Sequence, residues 1–362
     1  MNNQVLNNDL AFIHDGLIGK HDNFIDSTIV VTGCAGFLGF YFLQYLIRYG
    51  DKLKIKKVIG LDNLILGKPL WLTQLAHEFP NRFELETLDV SVTNFDQISS
   101  CREANYVVHC ASIASPTYYR KYPLETMYAN VWGLRNLLDF YKKSISLKGI
   151  LYFSSSEIYG DPPKESIPTD EEYRGNVTCH GPRSCYDESK RFCESLCWVF
   201  AEQFNMPLTV ARPFNNYGPG MKLEDRRLPA DFARCVLEGR NIEILSDGSP
   251  TRTFCYVADA IVGYFLCLFH GKYDYFNIGS DTPEISVLDI AKIYQKISKE
   301  NLGTNIEVRY EKSDDKDYLI DNPNRRCPII TKAKTLLGYN PQISIEDGVA
   351  RYLNFLKSEL DE

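Results

Sequence analysis

The stretch STIVVTGCAGFLGFYFLQYLIRYG, residues 27–50, decides how the rest of the chain reads. Residues 27–32 are mostly apolar and β-branched without alternation, the pattern of a strand buried on both faces. The apolar run that follows from Phe37 is long enough for a helix. Between the two, Gly33, Gly36 and Gly39 recur at three-residue spacing. Glycines there allow a tight turn, let the backbone approach a ligand and let the helix pack on the strand. The helix start then turns its N–H groups towards an anion. A glycine triplet alone marks only a tight turn. Set between a strand and a helix, it predicts a dinucleotide pyrophosphate site, with Phe37 and Leu38 in the first helical turn beside it.

The same alternation continues. KKVIGLD (56–62), FELETLDV (83–90), NYVVHCAS (105–112), GILYFSSS (149–156) and LTVARPF (208–214) read as strands. Long helical segments at 124–143 and 184–204 separate the later ones. Strands separated by helices imply right-handed crossovers, so the fold expected is α/β, a Rossmann-type doubly wound parallel sheet with a smaller C-terminal substrate-binding lobe. Residues 27–213 form the dinucleotide-binding domain on this reading. Residues 214–362 form mainly the lobe, with chain free to return to the sheet, and residues 1–26 are an N-terminal extension outside the fold core.

Asp62 ends the second strand, where its carboxylate can accept from adenosine ribose hydroxyls and repel a 2′-phosphate. NAD is therefore expected rather than NADP. Asn63 adjoins it, Asp89 and Val90 after the third strand are placed to flank the adenine, and Ala111 and Ser112 close the fourth strand. Asp89 reads equally well as a cap of its own turn.

Composition narrows the partners. The chain has 362 residues and a formal charge of −7, which disfavours a nucleic-acid binder because phosphate affinity needs surplus Lys and Arg. Its 11 cysteines are odd in number and scattered through apolar segments, so free thiols in a reducing cytoplasm are expected. Cys193 with Cys197, and Cys179 with His180, belong to no four-ligand spacing, and no metal is expected. No apolar run spans a membrane and no secretory signal is visible in residues 1–25.

Chemistry enters at YFSSSEIYG (152–160), where a buried run ends in Ser154, Ser155 and Ser156 followed by Glu157. It enters again at CYDESKR (185–191), where Tyr186 and Lys190 stand four apart and share a helix face. A cation there lowers the phenol's pKa and equips it to take a proton from a hydroxyl. Alone, Tyr-x-x-x-Lys is a frequent accident; with the glycine loop and Ser155 it becomes a constellation.

TGCAGFLG (32–39), LDN (61–63), HCAS (109–112), SSSEIYG (154–160), YDESK (186–190) and ARPFNNYGPG (211–220) together resemble the extended short-chain dehydrogenase/reductase family, NAD-dependent enzymes of nucleotide sugars. The segments ASPTYY (114–119), EIYGDP (157–162), GPRSCYDESKR (181–191), PTRTFCYVAD (250–259) and TKAKTLLGYNP (331–341) are similar to its branch that decarboxylates UDP-glucuronate. Cys34, Phe40 and Ile113 depart from the usual pattern, commonly glycine, serine and proline.

The resemblance implies that Ser155, Tyr186 and Lys190 form the oxidoreductase triad and that Asn215, Arg227 and Arg252, with Arg212 as a companion, hold the nucleotide diphosphate. It also implies that Tyr119 contacts the sugar and that Arg326, rather than Arg325, holds the substrate carboxylate. Simple 4-epimerases lack an acid at the position of Glu157. The glutamate, with Ser156, therefore implies chemistry at C5 or C6 beside a transient C4 ketone, as in a decarboxylase or a 4,6-dehydratase. Serine at 156 argues against a glucose-type dehydratase and leaves a GDP-mannose-type one open. Surplus apolar residues at 124–142 and 185–204, among them Trp132, Leu137, Phe140, Phe192, Leu196 and Phe200, imply a homodimer through a helix bundle.

Overall fold

The computed structural model describes residues 3–311 and 324–361. Seven parallel strands make the central sheet: β1 Thr28–Thr32, β2 Lys57–Asp62, β3 Phe83–Thr87, β4 Tyr106–His109, β5 Gly149–Phe153, β6 Leu208–Pro213 and β7 Asp274–Ile278, in the order 7-6-5-4-1-2-3. The pleat explains the unbroken apolar runs. Ile29, Val31, Val58, Val108 and Leu151 enter one core, while Val30, Ile59, Val107 and Ile150 enter the other. The helix Phe37–Arg48 covers the first face with Val257–Leu268, and Leu134–Tyr141 covers the second with Ser184–Phe204.

Chain beyond residue 213 does return to the sheet. It supplies β7 and the helix Val257–Leu268, which is buried along its whole length. The rest builds the lobe, including helices Leu228–Leu237 and Val287–Leu302 and a small sheet in which Thr251–Arg252 lies between Ile285–Ser286 and Arg325–Arg326.

The N-terminal segment is not an appendage. Its helix Gln4–Gly16 buries Leu6, Leu10 and Ile13 in the first core, and Asp9, fully buried, accepts from the hydroxyls of Tyr41 at 2.7 Å and Tyr256 at 2.6 Å and from Arg351 at 2.8 Å. All 11 cysteines are free. Among the described residues no helix is long and apolar enough to cross a membrane.

Candidate active site

The C-terminal ends of the strands open into a cleft of about 1340 Å³ between sheet and lobe. At its sheet end, Gly33 has φ +65°, and a Cβ there would meet the backbone of Ala111 at 2.6 Å. A Cβ on Gly39 would lie 2.5 Å from the carbonyl of Cys34. The helix after the loop starts at Gly36 with no side-chain cap, which leaves its first N–H groups for a ligand. Asp62 accepts from the N–H groups of Ala35 at 2.9 Å and Leu64 at 2.8 Å; these bonds hold its carboxylate at the cleft wall, and burial raises its pKa. Asn63 donates to Asp89 at 3.2 Å, and Asp89 accepts from the N–H and hydroxyl of Ser91, so its turn-cap role and its place in the cleft beside Val90 coexist. Ala111 N–H donates to Thr32 at 3.2 Å, while the hydroxyl of Ser112 is buried with no partner among the described residues. A glycine cradle closed to any Cβ, an uncapped helix start and an orphaned hydroxyl fit the dinucleotide.

At the cleft's centre β5 delivers the serines. Ser155 accepts from the N–H of Glu157 at 3.2 Å, and a hydrogen bond with Ser155 favours the phenolate of Tyr186. Burial nevertheless pushes the Tyr186 phenol up to about 12. Lys190 shares the helix face as expected, but its ammonium donates to the Phe153 carbonyl at 2.7 Å, 5.7 Å from the Tyr186 ring centroid, and burial lowers its pKa to about 8. Tyr119 lies stacked on Tyr186 with centroids 5.2 Å apart, its hydroxyl buried and without a partner among the described residues.

Glu157 sits in a nest of guanidinium groups. Arg183 and Arg326 both donate to its Oε2, Arg326 at 3.1 Å, and these charges with that of Arg252 hold its pKa down to about 2. Arg183 also reaches Asp187 at 3.5 Å. Burial and the neighbouring Glu157 push Asp187 up to about 7, and its Oδ1 is buried without a partner among the described residues. Of the adjacent pair, Arg325 turns outward to Glu284, whereas Arg326 is buried with its Nη1 unpartnered among the described residues. Arg252 pairs beside it in the small sheet and also lines the cleft; burial, then Arg326, lowers its pKa to about 10.

A family model, the NAD dependent epimerase/dehydratase family, matches residues 29–279. The chain belongs to that family. It is an enzyme of the family and uses NAD. The chain is 34% identical to UDP-glucuronic acid decarboxylase 1 of Arabidopsis thaliana over 92% of its own length and 70% of the relative's. To the Xenopus tropicalis UDP-glucuronic acid decarboxylase 1 it is 32% identical, covering 92% and 73%. Among solved structures it is similar to the UDP-glucuronic acid 4-epimerase of Bacillus cereus in complex with UDP-glucuronic acid and NAD, with TM-score 0.74, 27% identity and coverage of 92% and 99%. It is also similar to the UDP-glucose 4-epimerase of Thermotoga maritima, with TM-score 0.78, 26% identity and the same coverage.

In this epimerase/dehydratase chain, Asn215 and Arg227 line the same cleft. Asn215 donates to the Thr253 carbonyl at 2.9 Å, and Arg227 is forked onto Asp225 at 2.6 and 2.8 Å. Arg212 does not join them. Its guanidinium is paired at 2.9 and 2.6 Å with Glu194 and bonded to Tyr159, a structural ion pair under the sheet. Arg183 and Asp187 were not singled out from sequence. Their signal was present in GPRSCYDESKR, where the arginine is three residues before Tyr186 and the aspartate directly follows it, both on the helical turn that carries the phenol.

Proposed function

We propose that the protein modifies a nucleotide sugar through a transient 4-keto intermediate, decarboxylating UDP-glucuronate to UDP-xylose. The observation that carries this reading is the buried Arg326, with one nitrogen on Glu157 and the other without an acceptor among the described residues, in a nest where Arg183, Arg252 and Arg326 surround one ionised glutamate. Buried cationic donors left unpaired are costly, and a second carboxylate from the ligand would satisfy them. The names of the relatives point to the same sugar acid.

NAD, when bound, supplies the hydride acceptor at C4 and a positive ring charge near the phenol. Tyr186, as phenolate, takes the C4 hydroxyl proton while Ser155 holds the same oxygen. The resulting ketone makes the C6 carboxylate a β-keto acid. Its bond to C5 breaks, and Tyr186 and Ser155 hold the enolate oxygen at C4. Arg326 orients the departing carboxylate. Glu157, kept ionised by its arginines, acts with Ser156 to orient a water that reprotonates C5, and Tyr186 then gives its proton back to the C4 oxygen as the hydride returns to C4, so UDP-xylose forms with no net consumption of NAD.

A second reading is favoured by the likeness to the Bacillus cereus epimerase: the same nest would hold a uronic acid through C4 inversion without carbon loss. Incubating the NAD-loaded protein with UDP-glucuronate and measuring CO2 and the product's mass separates the two. CO2 with UDP-pentose supports decarboxylation, unchanged mass supports epimerisation, and no turnover sinks both.

A further inference from the structure

One segment of the lobe, residues 218–227, reaches both flanks of the cofactor site. Lys222 Nζ donates to the carbonyl of Leu66, in the loop after β2, and its charge stands near enough to Asp62 to favour the ionised carboxylate. Three residues on, the Asp225 carbonyl accepts from the buried hydroxyl of Ser115, beyond β4, at 2.9 Å. Strands β2 and β4 lie on either side of β1 in the sheet, so the two bonds stand on either side of the glycine loop. The same segment also meets the helix that follows this loop. The Arg227 guanidinium lies over the Phe37 ring, 5.7 Å from its centroid, and a Cβ on Gly220 would come within 2.8 Å of the Phe40 ring. The lengths agree. One 3₁₀ turn from Lys222 to Asp225 is about 6 Å, to which the lysine side chain adds its own reach, against about 10 Å for two strand spacings.

We propose that residues 218–227 form a strap across the bound dinucleotide, fastened by Lys222 to Leu66 and by Asp225 to Ser115, which keeps one NAD molecule in place through successive turnovers. A dinucleotide with its pyrophosphate at the glycine loop, its adenosine beside Asp62 and its nicotinamide beside Tyr186 spans the same two flanks, so it enters or leaves only when a fastening opens. This rests on the reading in which the hydride returns to C4. The cofactor then ends each cycle as it began, and loss of its reduced form midway would strand a ketone. Removing one hydrogen bond made by a charged group changes an opening equilibrium by roughly 10- to 100-fold.

The experiment is exchange of radiolabelled NAD, with no sugar nucleotide present, on the natural protein, Lys222→Met and Ser115→Ala. Bound label is chased with excess unlabelled NAD to give the release rate, and equilibrium dialysis gives the affinity. Release from Lys222→Met should be at least ~10-fold faster, and release from Ser115→Ala faster too, while the affinity changes by less than ~3-fold, because a strap hinders entry and exit alike. Release at the natural rate in either variant overturns the strap. Faster release matched by an equal loss of affinity overturns it as well, since Lys222 would then be a direct ligand of the cofactor. Failure of the decarboxylation reading shows separately, in the CO2 and product-mass measurement, and leaves these rates unchanged.

Discussion

Arg326 donates to the Glu157 carboxylate at 3.1 Å across 169 positions of sequence, and its second terminal nitrogen faces no acceptor among the described residues. If that nitrogen holds the substrate carboxylate, Arg326→Leu should lower kcat/KM for UDP-glucuronate by at least ~30-fold, since removing one partner of a buried charged pair costs about 2–5 kcal/mol. NAD affinity should be unchanged, because the arginine lies in the lobe's small sheet. Steady-state CO2 release and NAD titration check both halves. Normal turnover in the variant would contradict the role.

Tyr186 and Glu157 act at different moments on this mechanism. Tyr186→Phe should abolish the C4 oxidation, a loss of roughly 10²–10⁴-fold for a general base. Glu157→Gln should let substrate reduce the bound NAD and then stall, so that NADH absorbance accumulates in a single turnover. A Glu157→Gln protein as inert in oxidation as Tyr186→Phe, or one that turns over normally, contradicts the division.

Asp62 sets a third expectation, that NAD binds more tightly than NADP by calorimetry. The carboxylate is held by two backbone N–H groups and cannot swing away from a 2′-phosphate. Asp62→Ser should narrow the preference; equal binding of the two cofactors to the natural protein would contradict it.

The loop glycines, Asp62 and the strands were legible because each obeys a local rule: a strand buried on both faces, as at Thr28–Thr32, shows as a short β-branched run without polar alternation. β7 was not. Asp274–Ile278 begins with Asp and Tyr at an edge, and its partner β6 lies more than sixty residues earlier. Helix Gln4–Gly16 hid its apolar face among polar residues, because burying Asp9 depends on two tyrosines and an arginine far along the chain. Arg212 was misjudged for the same reason, as nothing near it in sequence announces Glu194 on the neighbouring helix. Arg326 was legible only through the family resemblance, since alternate pairing in a two-residue strand decides which of two arginines turns inward.

Asp187 gives a pH signature. Its folded pKa, about 7, lies above the ordinary carboxylate value of 3.8 because it is buried beside Glu157. Between those values the folded protein binds more protons than the unfolded chain, so this group makes stability fall as pH rises from about 4 to 7. Asp187→Asn should remove that contribution and stabilise the protein at pH 8. Urea midpoints across this range test it; an unchanged slope would contradict the shift.

Leu124, Met127, Tyr128 and Trp132 are exposed, as are Phe192 and Trp198 on the helix Ser184–Phe204 packed beside that segment, while Leu137 and Phe200 of the same segments are buried. A patch of this kind predicts a homodimer. Sedimentation at micromolar concentration should give twice the chain mass, and Trp132→Glu with Phe192→Glu should give the monomer with NAD binding intact. A monomeric natural protein would contradict it.

The buried carboxylate of Asp9 joins three distant pieces of the molecule, the cofactor-loop helix through Tyr41, the lobe's entry through Tyr256 and the last helix through Arg351. Prying any of them away strands an anion out of reach of water, which burial already penalises. One buried side chain therefore rivets the two ends of the chain, residues 4–16 and 345–361, to the helix that follows the glycine loop.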